Sequence, residues 1–264
     1  MWYKDAEEFK SINGYDINGT WYPRVTKILD VKAKPALEQF FREMESFASA
    51  EEVKNKSAAE GTLVHETVQG LLTGKEVSIP EAILPAVSAF QKFNEEKQIV
   101  FHKEYVESRV VSLRHRYAGT VDALATVDGK FGVLDIKTST GFYPEYNLQT
   151  AAYVSALQEF PVKRLLSLPR DIETRWILRI NQHRICALCK SVMREKGGRV
   201  KVKNGKGRMT ACEEGSHEWS ETQGDIELKE FPYLYQDIKA FVAAKILWEW
   251  ENNYWLKKVD YLQS

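Results

Sequence analysis

Two aspartates and a lysine carry the clearest chemical signal in the chain. They lie in AGTVDALATVDGKFGVLDIKTS, residues 118–139, which reads as two short strands about the turn dipeptide Asp128-Gly129. A two-residue turn there sets Val127 opposite Lys130, and facing residues then have numbers that sum to 257, so Asp122 falls opposite Asp135. Side chains alternate along a strand, so Lys137 shares the face of Asp135 with Thr120 opposite it, while Val121, Ala123, Leu134 and Ile136 turn to an apolar second face. Carboxylates opposed across strands sit about 5 Å apart at Cβ and destabilise the pair unless something neutralises them. A divalent cation does so. Asp and backbone carbonyl oxygens are hard ligands suited to Mg²⁺ or Mn²⁺, and the Ile136 carbonyl is placed to be a third. Such an ion acidifies a bound water and offsets charge on a reacting phosphate, and a lysine beside it positions that water or stabilises developing charge. An exposed salt bridge would account for D-x-K alone; the opposed Asp122 favours metal chemistry.

The elements around this hairpin are of both kinds. ALEQFFREMESFASA after Pro35, SAAEGTLVHETVQGLL and PEAILPAVSAFQKFNEEK have helical spacing. From Val100 the pattern turns to strands, VFHKEYVESRVVSL, RYAGTVDALATV and KFGVLDIKT, then to a helix, YPEYNLQTAAYVSALQEF, and a strand, TRWILRI. Helices, a meander, then helix and strand imply a mixed α/β domain. The segment GDIELKEFPYLYQDIKAFVAAKILWEWENNYW returns to globular composition, and its last part has the spacing of an amphipathic helix whose Trp248, Trp250 and Trp255 are expected in the core, with a partner surface as the alternative.

Four blocks in this framework, GTLVH at 61–65, AGTVD at 118–122, LDIK at 134–137 and QTAAY at 149–153, occur in an order and spacing that resemble the PD-(D/E)XK nuclease superfamily. Within it, the chain is similar to the RecB-like exonucleases of recombination, phage and CRISPR-adaptation systems. With WYPRVTKIL upstream, the resemblance spans roughly residues 21–160. It implies a restriction-endonuclease-like core, a mixed central sheet flanked by helices. It also implies metal ligation by His65, Asp122, Asp135 and the Ile136 carbonyl, with Lys137 as the catalytic lysine. Gln149 and Tyr153 match the Q-x3-Y block that borders the active site in this family; four residues apart on a helix, they share one face and would orient Lys137 or touch a phosphate. On the strand before the hairpin, Glu107 is a candidate to support the metal, with Glu104 competing for that place.

The stretch from about Asn181 to Ser220 breaks the pattern and reads as a small insert. Cys186, Cys189, Cys212 and His217 give C-x2-C, a 22-residue spacer and C-x4-H. Two short-range pairs closing a hairpin-sized loop are what a tetrahedral zinc site needs, and all the cysteines of the chain fall within 27 consecutive positions. The module resembles a zinc ribbon, with two short strands expected about Asn204-Gly205. His183 competes with His217, which is preferred because it completes the second pair. Three cysteines fall one short of the four that hold an iron-sulfur cluster in some relatives. With all four positions protein ligands, the expected Zn²⁺ is structural.

Charge divides along the same lines. The 264 residues hold 37 Lys plus Arg and 37 Asp plus Glu, and this neutrality argues against a uniformly basic nucleic-acid binder. Between Lys163 and Arg208, however, there are 14 basic and three acidic residues, leaving 23 and 34 elsewhere. Arg199, Lys201, Lys203, Lys206 and Arg208 are the candidates for phosphate-backbone contact. At 44% hydrophobic the composition is globular. MWYKDAEEFK carries acids where a signal peptide would be basic then apolar, and no run is long enough to cross a bilayer, so a soluble, cytoplasmic protein without a membrane partner is expected. The reading is a nuclease domain of residues 1–180 and 221–264 with a zinc-ribbon-like basic insert at 181–220. The expected activity is that of a Mg²⁺- or Mn²⁺-dependent deoxyribonuclease, an exonuclease of recombination, repair or mobile-element processing. Two other readings are a non-catalytic adaptor that keeps the fold, and a nuclease whose zinc module docks a helicase or recombinase.

Overall fold

A computed structural model of the chain describes residues 3–205, 212, 213 and 215–263. Helix α1 (Ala6–Asn13) leads into the hairpin β1 (Gly14–Ile17) and β2 (Thr20–Pro23) and the single turn α2 (Val25–Ile28), then α3 (Pro35–Arg42), α4 (Phe47–Leu72) and α5 (Leu84–Lys97). Strands β3 (Val100–His102), β4 (Ser108–Ser112), β5 (Tyr117–Val121), β6 (Ala123–Val127) and β7 (Lys130–Lys137) precede α6 (Pro144–Leu157) and α7 (Phe160–Leu165). The chain continues as β8 (Thr174–Ile185), β9 (Val192–Lys196), β10 (Arg199–Lys203), β11 (Gln223–Glu230), α8 (Tyr235–Glu251) and α9 (Asn253–Lys258). No helix among the described residues is long and apolar enough to cross a membrane.

The fold is α/β, with a mixed central sheet flanked by helices. Strand order is β10-β9-β8-β7-β6-β3, with β11 also paired to β8. β7 and β8 are parallel and joined by the α6–α7 crossover, and the other pairs are antiparallel. Pro35, Pro85 and Pro144 stand in the first turns of α3, α5 and α6, where a missing N–H is not needed. The serine pair Ser46 and Ser49 forms a capping box on α4. That cap moves the helix boundary: α4 begins at Phe47 and continues unbroken through Gly61 and His65, so the two helices expected here meet at residues 43–46.

β7 is covered on both faces. Leu134 and Ile136 pack with Trp176, Leu178 and Ile180 of β8 against Val64 and Val68 of α4 and Val87 and Phe90 of α5. Phe131 and Val133 face Ala152, Tyr153, Ala156 and Leu157 of α6, in a core that extends to Phe241 and Trp248 of α8. Each fully buried side chain of this size contributes roughly 2 kcal/mol relative to exposure. Trp255 packs onto Phe9 with its ring centre 5.9 Å away, whereas Trp250 is exposed.

The β6–β7 register is the expected one, Val127 on Lys130 through Ala123 on Leu134, about a turn in which Asp128 and Gly129 both have positive φ. It stops there. Asp122 sits in a bend, and β5 leaves the sheet to pair with β4 as a separate ribbon, Thr120 against Arg109. Thr120 is therefore not opposite Lys137, and Val121 joins the α6 core, not the face of Leu134 and Ile136.

In the insert, β8 runs unbroken past Asn181 to Ile185. The following hairpin turns at Gly197-Gly198, with φ of 63° and 76°, and pairs β10 back onto β9. Two consecutive glycines accept the positive φ of a tight hairpin at no steric cost; the second strand expected after Asn204-Gly205, with Lys206 and Arg208, lies outside the described residues.

On β8, Arg175 is 1% exposed and ion-paired with Asp237 of α8. Asp237→Ala is expected to strand that buried charge and cost about 3 kcal/mol, read as a lower urea midpoint.

Candidate functional site

The C-terminal end of β7 places Asp135 and Lys137 on the face toward α6. Asp135 is fully buried, its Oδ2 lying 2.6 Å from Lys137 Nζ, and Gln149 Nε2 donates to Oδ1 (3.3 Å) and to the Tyr153 hydroxyl (2.9 Å). Despite its closeness to Lys137, Oδ2 receives no hydrogen bond of normal geometry. Lys137 Nζ lies 5.1 Å from the centre of the Tyr146 ring. From the bend, Asp122 turns back to β7, where its Oδ2 accepts a hydrogen bond from the Ile136 N–H (2.6 Å) and lies 3.9 Å from His65 Nδ1. The Asp122 carbonyl in turn accepts from the Glu107 N–H (3.0 Å). Gly119 in the AGTVD block has a steric reason: a Cβ there would come within 2.4 Å of the Tyr153 ring. Gly61 has another, since a Cβ would stand 2.9 Å from the Thr138 hydroxyl that rests on α4.

Burial governs the titration of this cluster. It pushes Asp135 up to about 6 against the pull of Lys137, and the Asp122 carboxylate adds to the rise. Asp122 is raised by burial too, against Lys137 and the Ile136 N–H. Glu107 is lifted to about 6 by burial and by Asp122; Glu104 points to His102 on the exposed side, 3.9 Å away, so Glu107 is the acid at the cluster. For Lys137, burial opposes the charge, but Asp135 and Asp122 hold it above the ordinary lysine value. His65 is depressed by burial and by Lys137, while its bond to the Ile136 backbone works the other way. A neutral imidazole and two carboxylates that resist ionising together form a donor set to which a cation would give the missing charge.

His65, Glu107, Lys137, Thr138 and Tyr146 line an open cavity of about 600 Å³. Its far wall carries a residue that sequence reasoning passed over, Lys196 of β9, whose Nζ donates to the Thr138 carbonyl and hydroxyl, both at 2.7 Å. Arg194, two residues earlier on the same strand face, donates to the same carbonyl (2.7 Å) and to Asn181. The alternation in VMREK puts these two on one face, but the arrival of Lys196 at the cavity depends on where the hairpin turns. Of the basic residues expected to contact phosphate, the three that are described lie elsewhere, and Lys206 and Arg208 lie outside the described residues. Arg199 pairs with Glu43 at the end of α3 (2.8 Å), Lys201 lies 3.4 Å from the same oxygen, and Lys203 is exposed at the end of β10.

The second cluster is compact. Donor atoms of Cys186, Cys189, Cys212 and His217 all lie within 4.8 Å of one another, the one such group of three or more among the described residues. His65, Asp122 and Asp135 are spread more widely. Cys186 Sγ is 4.0 Å from Cys212 Sγ, and Cys189 Sγ is 3.4 Å from His217 Nδ1. Ligands at about 2.0–2.3 Å from a tetrahedral ion stand roughly 3.5 Å apart, so these spacings fit such a centre. Lys190, with φ of 59°, closes the first knuckle, the Cys186 N–H donates to the Ser191 carbonyl (2.9 Å), and His217 stacks on Trp219 at 4.5 Å. The Ser191 hydroxyl draws Cys189 down to about 5, while burial and the neighbouring thiols push Cys212 up to about 11. His183 stands apart, 3.9 Å from Asp225 on β11.

Because the fold raises Asp135, its contribution to stability is present below the unfolded carboxylate range and is lost as pH rises through about 6. In metal-free buffer, Asp135→Asn is expected to gain on the order of 2 kcal/mol on the wild type between about pH 4 and about pH 7, measured by urea unfolding at each pH. No protein-family model matches the chain, and no curated protein matches it significantly.

Proposed function

We propose that the chain is a metal-dependent nuclease of the PD-(D/E)XK type, acting on DNA as an exonuclease in recombination, repair or the processing of phage and other mobile DNA. The observation that carries this reading is the pair of buried, raised carboxylates, Asp122 and Asp135, set beside neutral His65 and cationic Lys137 at the edge of one cavity. His65, Asp122, Asp135 and the Ile136 carbonyl are the groups that would hold the ion. Bound there, Mg²⁺ or Mn²⁺ would acidify a water and offset charge on the phosphate.

The remaining roles belong to the chain. Lys137, confined between Asp135 and the Tyr146 ring, is positioned to donate to the attacking water or to a phosphate oxygen. Gln149, bonded to both Asp135 and Tyr153, fixes the carboxylate that the ion and the lysine share. Glu107, lifted to about 6, is the acid in the cavity suited to take up a proton near neutral pH. The Cys186, Cys189, Cys212 and His217 cluster would hold structural Zn²⁺, which would close the base of the insert.

One observation favours the adaptor reading instead. Asp122 has the Ile136 N–H and Asp135 has Lys137 and Gln149 as partners, so the cluster is held together by the protein's own groups. The two readings separate in a digestion assay. With Mg²⁺ or Mn²⁺ the wild type is expected to degrade end-labelled DNA, and Lys137→Ala and Asp122→Ala to fold but lose about two to three orders of magnitude in rate. A wild type inert on single-stranded, double-stranded and flapped DNA would leave the adaptor. Purified protein is expected to contain one zinc per chain by metal analysis, and Cys186→Ser to lose it; iron, or no metal, would overturn the zinc assignment.

A further inference from the structure

Two cations on β9 make no salt bridge among the described residues, although the Glu60 carboxylate acts on both from a distance and Asp225 on Arg194. Arg194 and Lys196 are half-buried, and their hydrogen bonds among the described residues go to Thr138 and Asn181, neither of which carries charge. The carboxylate beside them, Glu60, accepts from the Gly197 N–H at 2.9 Å. Charges taken out of water are ordinarily paired. Here two of one sign stand side by side, and burial together with Arg194 pulls Lys196 down to about 8.

Their position indicates what would complete them. Lys196 and Thr138 belong to two adjoining cavities: the one that contains His65 and Lys137, and another of about 320 Å³ whose lining includes the apolar Leu63, Val64, Ile83 and Ile180. In this second cavity the Gln182 side-chain oxygen is buried without a donor. A ligand that spans both would have its anionic link at Lys196 and an apolar, hydrogen-bonding group beyond it. A nucleic-acid strand alternates phosphate and base in this way.

We infer that Arg194 and Lys196, seated on Thr138, form a phosphate-binding site for a nucleic-acid strand, one step along the backbone from the phosphate that Lys137 would meet, with the adjoining base entering the smaller cavity. The inference rests on the nuclease reading for the nature of the strand, but not for the presence of an anion site. It also accounts for the insert, because the hairpin that grows from the cysteine cluster carries Lys196 to both cavities and Arg194 to the smaller one, while Arg199 and Lys201 anchor it to α3.

The test is binding of a short end-labelled single-stranded DNA to the full-length protein, without added Mg²⁺ or Mn²⁺, across a range of salt. Lys196→Met and Arg194→Met are each expected to weaken binding about tenfold and to reduce the slope of log affinity against log salt by about 0.7. Lys196→Arg is expected to keep both, and Lys92→Ala on the outer face of α5 to change neither. Wild-type affinity and slope in both Met variants would overturn the site. Should a variant fail to fold, acylation of wild-type lysines read by peptide mass spectrometry replaces it: DNA or inorganic pyrophosphate should slow modification of Lys196 relative to Lys92, and equal rates would overturn the inference. A wild type that cleaves DNA while the Met variants bind normally removes this site alone. Protection of Lys196 by pyrophosphate in a wild type that cleaves nothing removes the nuclease reading and keeps the anion site.

Discussion

The structure is organised about one electrostatic problem, a carboxylate with almost no access to water at the end of the most deeply buried strand. Asp135 cannot be solvated, and the groups brought to it come from four directions. Lys137 comes from its own strand, Gln149 and Tyr153 from α6, Asp122 from the bend after β5, and His65 from α4. Each of these elements is placed by apolar packing on one face or the other of β7, so the two cores serve as the frame that holds the charges at close range. The balance is incomplete. Asp135 and Asp122 both remain reluctant to ionise, which is the condition under which a site gains most from an added cation.

A complementary imbalance stands on the facing wall. The excess of positive charge in the insert is divided by its hairpin into two functions. Arg199 and Lys201 face α3 and are consumed by Glu43, so they hold the hairpin in place. Arg194 and Lys196 face Thr138 and make no salt bridge among the described residues. The acidic cluster, through His65, Glu107 and Lys137, and the basic wall, through Lys196, border one cavity, and the molecule's overall neutrality conceals both.

Legibility in the sequence followed the range over which each feature is decided. The β6–β7 register could be read because Asp128-Gly129 decides it locally, and the cysteine cluster because its two pairs are short. The approach of His65 to Asp122 was legible only through the resemblance of four blocks to a family, since nothing local ties α4 to the bend. The departure of β5 was not legible: RYAGTVDALATV holds no proline or turn dipeptide to mark an end, and the break at Asp122 goes with pairing to β4 and with the hydrogen bond its carboxylate accepts from the Ile136 N–H. Nor could the pairing of Arg199 with Glu43 be read, because partners 156 positions apart are chosen by the whole fold. The hairpin turn at Gly197-Gly198 was not singled out in the sequence, although two consecutive glycines accept its positive φ without strain.

The contact between the insert hairpin and α3 and α4 has a further consequence. It is made of Glu43 with Arg199, Glu60 with the Gly197 N–H, and Lys196 with Thr138, and Gly197 lies directly against the backbone of α4 at Val53 and Ser57. An interface of this kind excludes little apolar surface, and each of its hydrogen bonds contributes only about 1 kcal/mol net. Local opening there leaves both cores intact. The hairpin wall is thus able to open by itself, and a strand of the kind proposed would enter from the side by its fluctuation, without being threaded through a rigid opening.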